Sequence, residues 1–111
     1  MKAEDAKFRL GDQARADVVR AIGGHLVTEV VYEGGARVVH PHTLYVAKDG
    51  NELLLVWQVG GFSSSGDLPG WRNLLTEKFE EMTVTDEHFD PRSDAEVQRK
   101  GLGDIVVMAT V

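Results

Sequence analysis

The chain has 111 residues, no cysteine and a formal net charge of −6, near the commonest size for one domain and too small for two hydrophobic cores. Its apolar share of 42% and charged share of 27% match globular rather than disordered composition. The lack of cysteine excludes disulfides and thiolate metal sites and fits a reducing compartment. The acidic excess argues against direct nucleic-acid binding, whose affinity comes mainly from lysine and arginine.

The opening MKAEDAKFRL alternates charges with small residues where a signal peptide needs an apolar run, and no stretch reaches the apolar length of a membrane span. The expectation is a soluble, cytoplasmic protein with no membrane partner. Residues 1–11 read as an N-terminal extension and about 12–111 as the core of a single domain spanning 1–111.

Residues 12–24, DQARADVVRAIGG, carry one helix. Ala14, Val18, Ala21 and Ile22 share a stripe, Asp12 is the expected N-cap, and Gly23 and Gly24 offer the left-handed conformation that ends helices. From Leu26 to Tyr32 the period becomes two, a strand. Glu33-Gly34-Gly35-Ala36 is the turn of a hairpin whose second arm starts at Arg37, and Pro41 announces an edge, a bulge or a sharp bend.

Lys48-Asp49-Gly50-Asn51 joins Thr43–Ala47 to Glu52–Val59 in a second hairpin, Asp-Gly being a strong hairpin signal. Apolar residues on both faces of the second arm make it the expected central strand, with Trp57 in the core. Gly60–Gly70 reads as a loop. Strand character resumes over Trp71–Thr76 and Met82–Thr85, Ser93 or Asp94 can start a short helix over 95–99, and DIVVMATV (104–111) reads as a terminal strand. The fold class expected is mainly β (α+β): a strongly bent antiparallel sheet or a small SH3-like or Sm-like barrel with one N-terminal helix and a short C-terminal one.

The run Val38-Val39-His40-Pro41-His42-Thr43-Leu44, the Asp49-Gly50 hairpin into Leu53-Leu54-Leu55-Val56-Trp57-Gln58, and Trp71-Arg72 leading to Lys78-Phe79 resemble the WYL domain over residues 14 to 90. Glu52-Leu53-Leu54 stands where that family has its name-giving triplet, while Arg72 and Lys78 are kept. The resemblance implies an Sm-like or SH3-like barrel of bacterial transcription regulation that senses a nucleotide or nucleic-acid ligand through basic and aromatic residues, here in stand-alone form. A single predicted helix cannot supply a helix-turn-helix.

The candidate ligand site is the loop GGFSSSGDLPG, with Ser63, Ser64 and Ser65, and its flanks Gln58, Trp71 and Arg72. Hydroxyls and glycine N–H groups with a planar guanidinium suit a small anionic molecule or nucleotide. His40 and His42 have the spacing of one strand face but no further ligand nearby, so no metal site is expected and they read as packing or surface groups. Trp57 and Trp71 could each stack a planar ring, Trp71 being the better placed. Histidines, serines 63–65 and carboxylates supply ingredients for catalysis, but no nucleophile motif organises them, and neither a cofactor nor an enzyme is expected. The acidic run Glu77–Glu87 reads as a solvated face. A ligand-sensing regulatory module is thus the first functional expectation. The second is an assembly domain in which 104–111 pairs edge to edge with a copy of itself or a partner protein.

Overall fold

The computed structural model describes residues 9–63, 66–95, 98 and 103–109. In chain order these form α1 (Asp12–Gly24), β1 (Leu26–Tyr32), β2 (Gly35–Ala47), β3 (Glu52–Gly61), β4 (Gly70–Leu75), a 3-10 turn (Thr76–Lys78), β5 (Phe79–His88) and β6 (Gly103–Met108).

α1 has the bounds that its pattern predicts, but both of its caps differ. Gly11 is the N-cap, with no side chain capping an N–H, and the left-handed residue is His25 (φ 54°), not a glycine. Asp12 sits inside the first turn, where its charge still complements the helix dipole. His25 is held in its conformation from outside: its carbonyl accepts the Phe89 N–H at 2.9 Å, and the two rings lie 5.9 Å apart.

The β1–β2 turn is two residues long, with Glu33 at φ 52° and Gly34 at φ 80°, so Gly35 already pairs with Tyr32. This double positive φ matches the twist of the flanking strands. In the β2–β3 hairpin Gly50 takes φ 90° and Asp49 accepts the Asn51 N–H.

All the ladders are antiparallel, in the order β4-β3-β2-β1-β5, with β6 also on β2. β2 organises this sheet. One of its edges pairs with β3 throughout; the other pairs with β1 from Gly35 to Val39 and with β6 from Thr43 to Ala47. The change of partner falls around Pro41, which cannot donate to a ladder, and the β2–β3 register slips between Pro41 and Thr43. Of the outcomes expected at Pro41 the structure takes the bulge, and the arm starting at Arg37 and the segment Thr43–Ala47 are parts of one strand. No ladder joins β4 to β5 among the described residues, so the sheet is bent and open rather than closed into a barrel.

α1 lies on one face and buries Val18 and Ile22 in a cluster with Val30, Tyr32, Val39, Leu44, Leu54, Val56 and Leu74. Beside this cluster Glu52 is fully buried, accepting from Arg15 Nη2 at 2.6 Å, Thr76 Oγ1 at 2.8 Å and the Leu10 N–H at 3.0 Å. Trp57, expected in the core, is only partly covered. Gly60, Gly61 and Gly70 belong to strands, which shortens the expected loop to 62–69. β6 begins at Gly103, one residue before the expected strand; residues 110 and 111 of that strand lie outside the described residues. Ala95 and Gln98 are helical, and the rest of the short helix expected over 95–99 lies outside them too. No helix is long and apolar enough to cross a membrane among the described residues.

Candidate functional site

β3 and β4 pair from Leu53↔Leu75 to Gln58↔Gly70, so the segment connecting them leaves and re-enters the sheet on neighbouring strands. Arg72, near the start of β4, turns back into this loop. Its Nη2 donates to Ser63 Oγ at 3.1 Å and to the Asp67 carbonyl, and its Nη1 donates to the Trp71 carbonyl at 2.8 Å. From the other side the buried Gln58 amide donates to the carbonyls of Gly60 (3.1 Å) and Phe62 (2.7 Å). Three nominated residues, Gln58, Ser63 and Arg72, therefore converge on the loop. Ser64 and Ser65 lie outside the described residues.

Trp71 belongs elsewhere. Its ring meets Trp57 edge to face at 5.2 Å and His42 at 4.9 Å, and its indole N–H donates to Asp94 Oδ2 at 3.1 Å. That bond, followed by the Arg92 guanidinium, holds the Asp94 carboxyl below its ordinary pKa. Arg92 in turn stacks its guanidinium over Trp57 at 3.9 Å. Residues 89–94 thus strap the β2–β3–β4 face.

His40 and His42 are packing groups in this wall. His40 stacks on Phe89 at 4.5 Å with only 7° between the planes. His42 Nδ1 donates to the His40 carbonyl at 2.8 Å, so Nε2 is the acceptor for the Arg92 backbone N–H at 2.9 Å. Burial lowers the pKa of both rings, and this neutral tautomer is the one that the contacts require.

One residue beside the loop is absent from the candidate set drawn from sequence. Arg37, the third residue of β2, pairs with Gly61, and its guanidinium lies over the rings of Tyr32 (4.9 Å) and Phe62 (5.4 Å), reaching Gln58 Oε1 at 3.4 Å. Part of the signal was there: Arg37 is the sole Asp, Glu, Lys or Arg among the 13 residues of β2, and it shares the inward parity of Val39. A cavity of about 220 Å³ lies elsewhere, between the start of α1 and β5, lined by Leu10, Ala14, Phe79 and Met82 among others. None of the nominated residues lines it.

No family model and no curated protein matches the chain at a significant level. Among solved structures, proteasome accessory factor B/C (PafBC) of Arthrobacter aurescens matches with a TM-score of 0.67 at 20% identity, over 86% of this chain and 15% of that one. The chain shares its fold with the matched part of that protein. At this identity the likeness establishes the fold alone, and the chain spans a small fraction of its counterpart.

Proposed function

We propose that the chain is a WYL-like, non-catalytic sensing module that takes a small anion, such as a nucleotide, at the 62–69 loop and acts in regulation. The observation that carries this reading is the pair of hydrogen bonds that Arg72 Nη2 donates to Ser63 Oγ and to the Asp67 carbonyl, which lie on opposite sides of residues 64 and 65 in sequence. An oxyanion offers a guanidinium two parallel N–H···O bonds and a full opposite charge, neither of which a single carbonyl or hydroxyl supplies. An anion competing for Arg72 would release the loop and change its shape. The WYL-like fold supports a regulatory setting for such a change. No cofactor is required, and direct binding to nucleic acid is not part of the reading.

Thermal melts of the full chain with a panel of nucleotides and acidic metabolites test it. At least one member should stabilise the wild type, and Arg72→Ala should remove that response. A panel without effect, or an Arg72→Ala variant responding like the wild type, refutes the reading.

A second reading, assembly through β6, is favoured by one observation: Ile105, Val106 and Met108 are 41%, 48% and 43% exposed on a strand that pairs only with β2 among the described residues. An unpaired apolar edge of this kind is a template for another strand. Sedimentation at rising concentration should show a growing mass, and a constant monomer mass would exclude it.

A further inference from the structure

Arg37 is 4% exposed, yet no carboxylate pairs with it among the described residues. Its guanidinium carries five N–H donors. One reaches Gln58 Oε1 at the long distance of 3.4 Å, and the Nε–H is buried with no acceptor at all. The rings of Tyr32 and Phe62 offset part of the charge. A guanidinium does not shed its proton in a protein, so the remaining cost cannot be relieved by neutralisation. A buried cation without a counter-charge is unfavourable, and a well-packed apolar side chain would be more stable in its place.

The cover over this cation is light. Phe62 is 50% exposed. Its backbone is fixed, the N–H donating to the Ala36 carbonyl at 2.8 Å and the carbonyl accepting from Gln58, so the ring can swing outward without unravelling the loop. Beneath the ring lies Gly35, where a Cβ would come within 2.6 Å of Phe62 Cβ. The ring therefore occupies a notch that exists because position 35 has no side chain. Ser63, the next residue, presents a hydroxyl already bonded to Arg72.

We infer that Arg37 is the inner seat of an oxyanion site, taking a phosphate or carboxylate group when the Phe62 ring moves aside. This rests on the reading of the 62–69 loop as an anion sensor and gives the anion its buried contact. The Nε–H and one Nη–H of a guanidinium make a fork that fits two oxygens of such a group. Displacement of Phe62 would couple occupancy to the loop that Arg72 and Gln58 hold.

The test is thermal melting of the full chain in sodium phosphate or sodium acetate, each against sodium chloride at equal ionic strength. At least one of the two anions should raise the wild-type melting temperature, by roughly 4 °C or more near saturation. Phe62→Ala should bind that anion about tenfold more tightly, one decade being 1.4 kcal/mol. Arg37→Leu should lose the response while melting no lower than the wild type without anion. If Arg37→Leu does not fold, Gly35→Ala decides alongside Phe62→Ala, since it dislodges the ring with Arg37 in place. An Arg37→Leu variant that still responds, a Phe62→Ala variant with no gain, or silence of both anions on wild type and Phe62→Ala would overturn the inference. Should Arg72→Ala abolish the response and Arg37→Leu keep it, the loop reading stands and this seat falls; the reverse pattern keeps the seat and removes Arg72.

Discussion

His42 receives one hydrogen bond that it can accept only while neutral. With Nδ1 committed to the His40 carbonyl, protonation of Nε2 would set two N–H donors, its own and that of Arg92, against each other. Burial lowers the pKa in the folded state below its ordinary 6.5, so the folded protein binds fewer protons than the unfolded chain in this range. The contribution is therefore whole above pH 6.5, declines as pH falls below it, and is gone once pH drops through the folded value. His40, lowered by burial as well, acts in the same direction. Both of the chain's tryptophans contact this strap. Their fluorescence should change on acidification below pH 6.5, with a loss of melting temperature that His42→Gln reduces; an unchanged pH profile in that variant would show that the strap is held by other contacts. Little of this was legible in the sequence. The His-Pro-His spacing was visible, but its partners are Phe89 and Arg92, brought in by the fold from the far end of β5. For Arg37 the charge and the inward parity were legible, but not the surroundings: Tyr32, Gln58 and Phe62 are assembled around it only by strand register.

The elements themselves were more legible because their signals are local. Helical spacing over 12–24, alternation over 26–32 and the Asp49-Gly50 turn each report on neighbours a few residues apart. What failed were the ends and caps, decided by tertiary contact: Phe89 fixes His25, and strand pairing extends β3 to Gly61. Glu52 shows how the elements are tied. Its carboxylate joins α1 through Arg15, the 3-10 turn through Thr76 and the chain entering α1 through the Leu10 N–H. Removing it takes the carboxylate from all three donors: the Leu10 N–H loses its acceptor, Arg15, partly exposed, can recover water, and Thr76 Oγ1 keeps only its 3.4 Å bond to the Glu52 carbonyl. Glu52→Ala should cost about 3 kcal/mol in urea unfolding and Thr76→Val about 1 kcal/mol. Equal losses would mean that the hydroxyl rather than the carboxylate organises the junction.

At the scale of the whole molecule, an open sheet must manage the edges that a barrel would abolish. β5 does so with charge: Glu80, Glu81, Asp86 and Glu87 are exposed along it, and a second copy laid against this edge would set like charges together. The net charge of −6 adds a general repulsion between copies, which salt screens beyond about 10 Å at 0.1 M. β6 carries only Asp104 as a charge among six residues, and three apolar side chains there face solvent. Association should therefore run through β6 and rise with ionic strength, as screening removes repulsion without weakening apolar contact. Val106→Lys, which adds a charge on that strand without touching β5, should lower the sedimentation mass at high protein concentration, whereas Thr83→Lys on β5 should leave it unchanged. If Thr83→Lys alters the mass and Val106→Lys does not, the interface lies on the acidic edge and the apolar strand is covered by something other than a second copy.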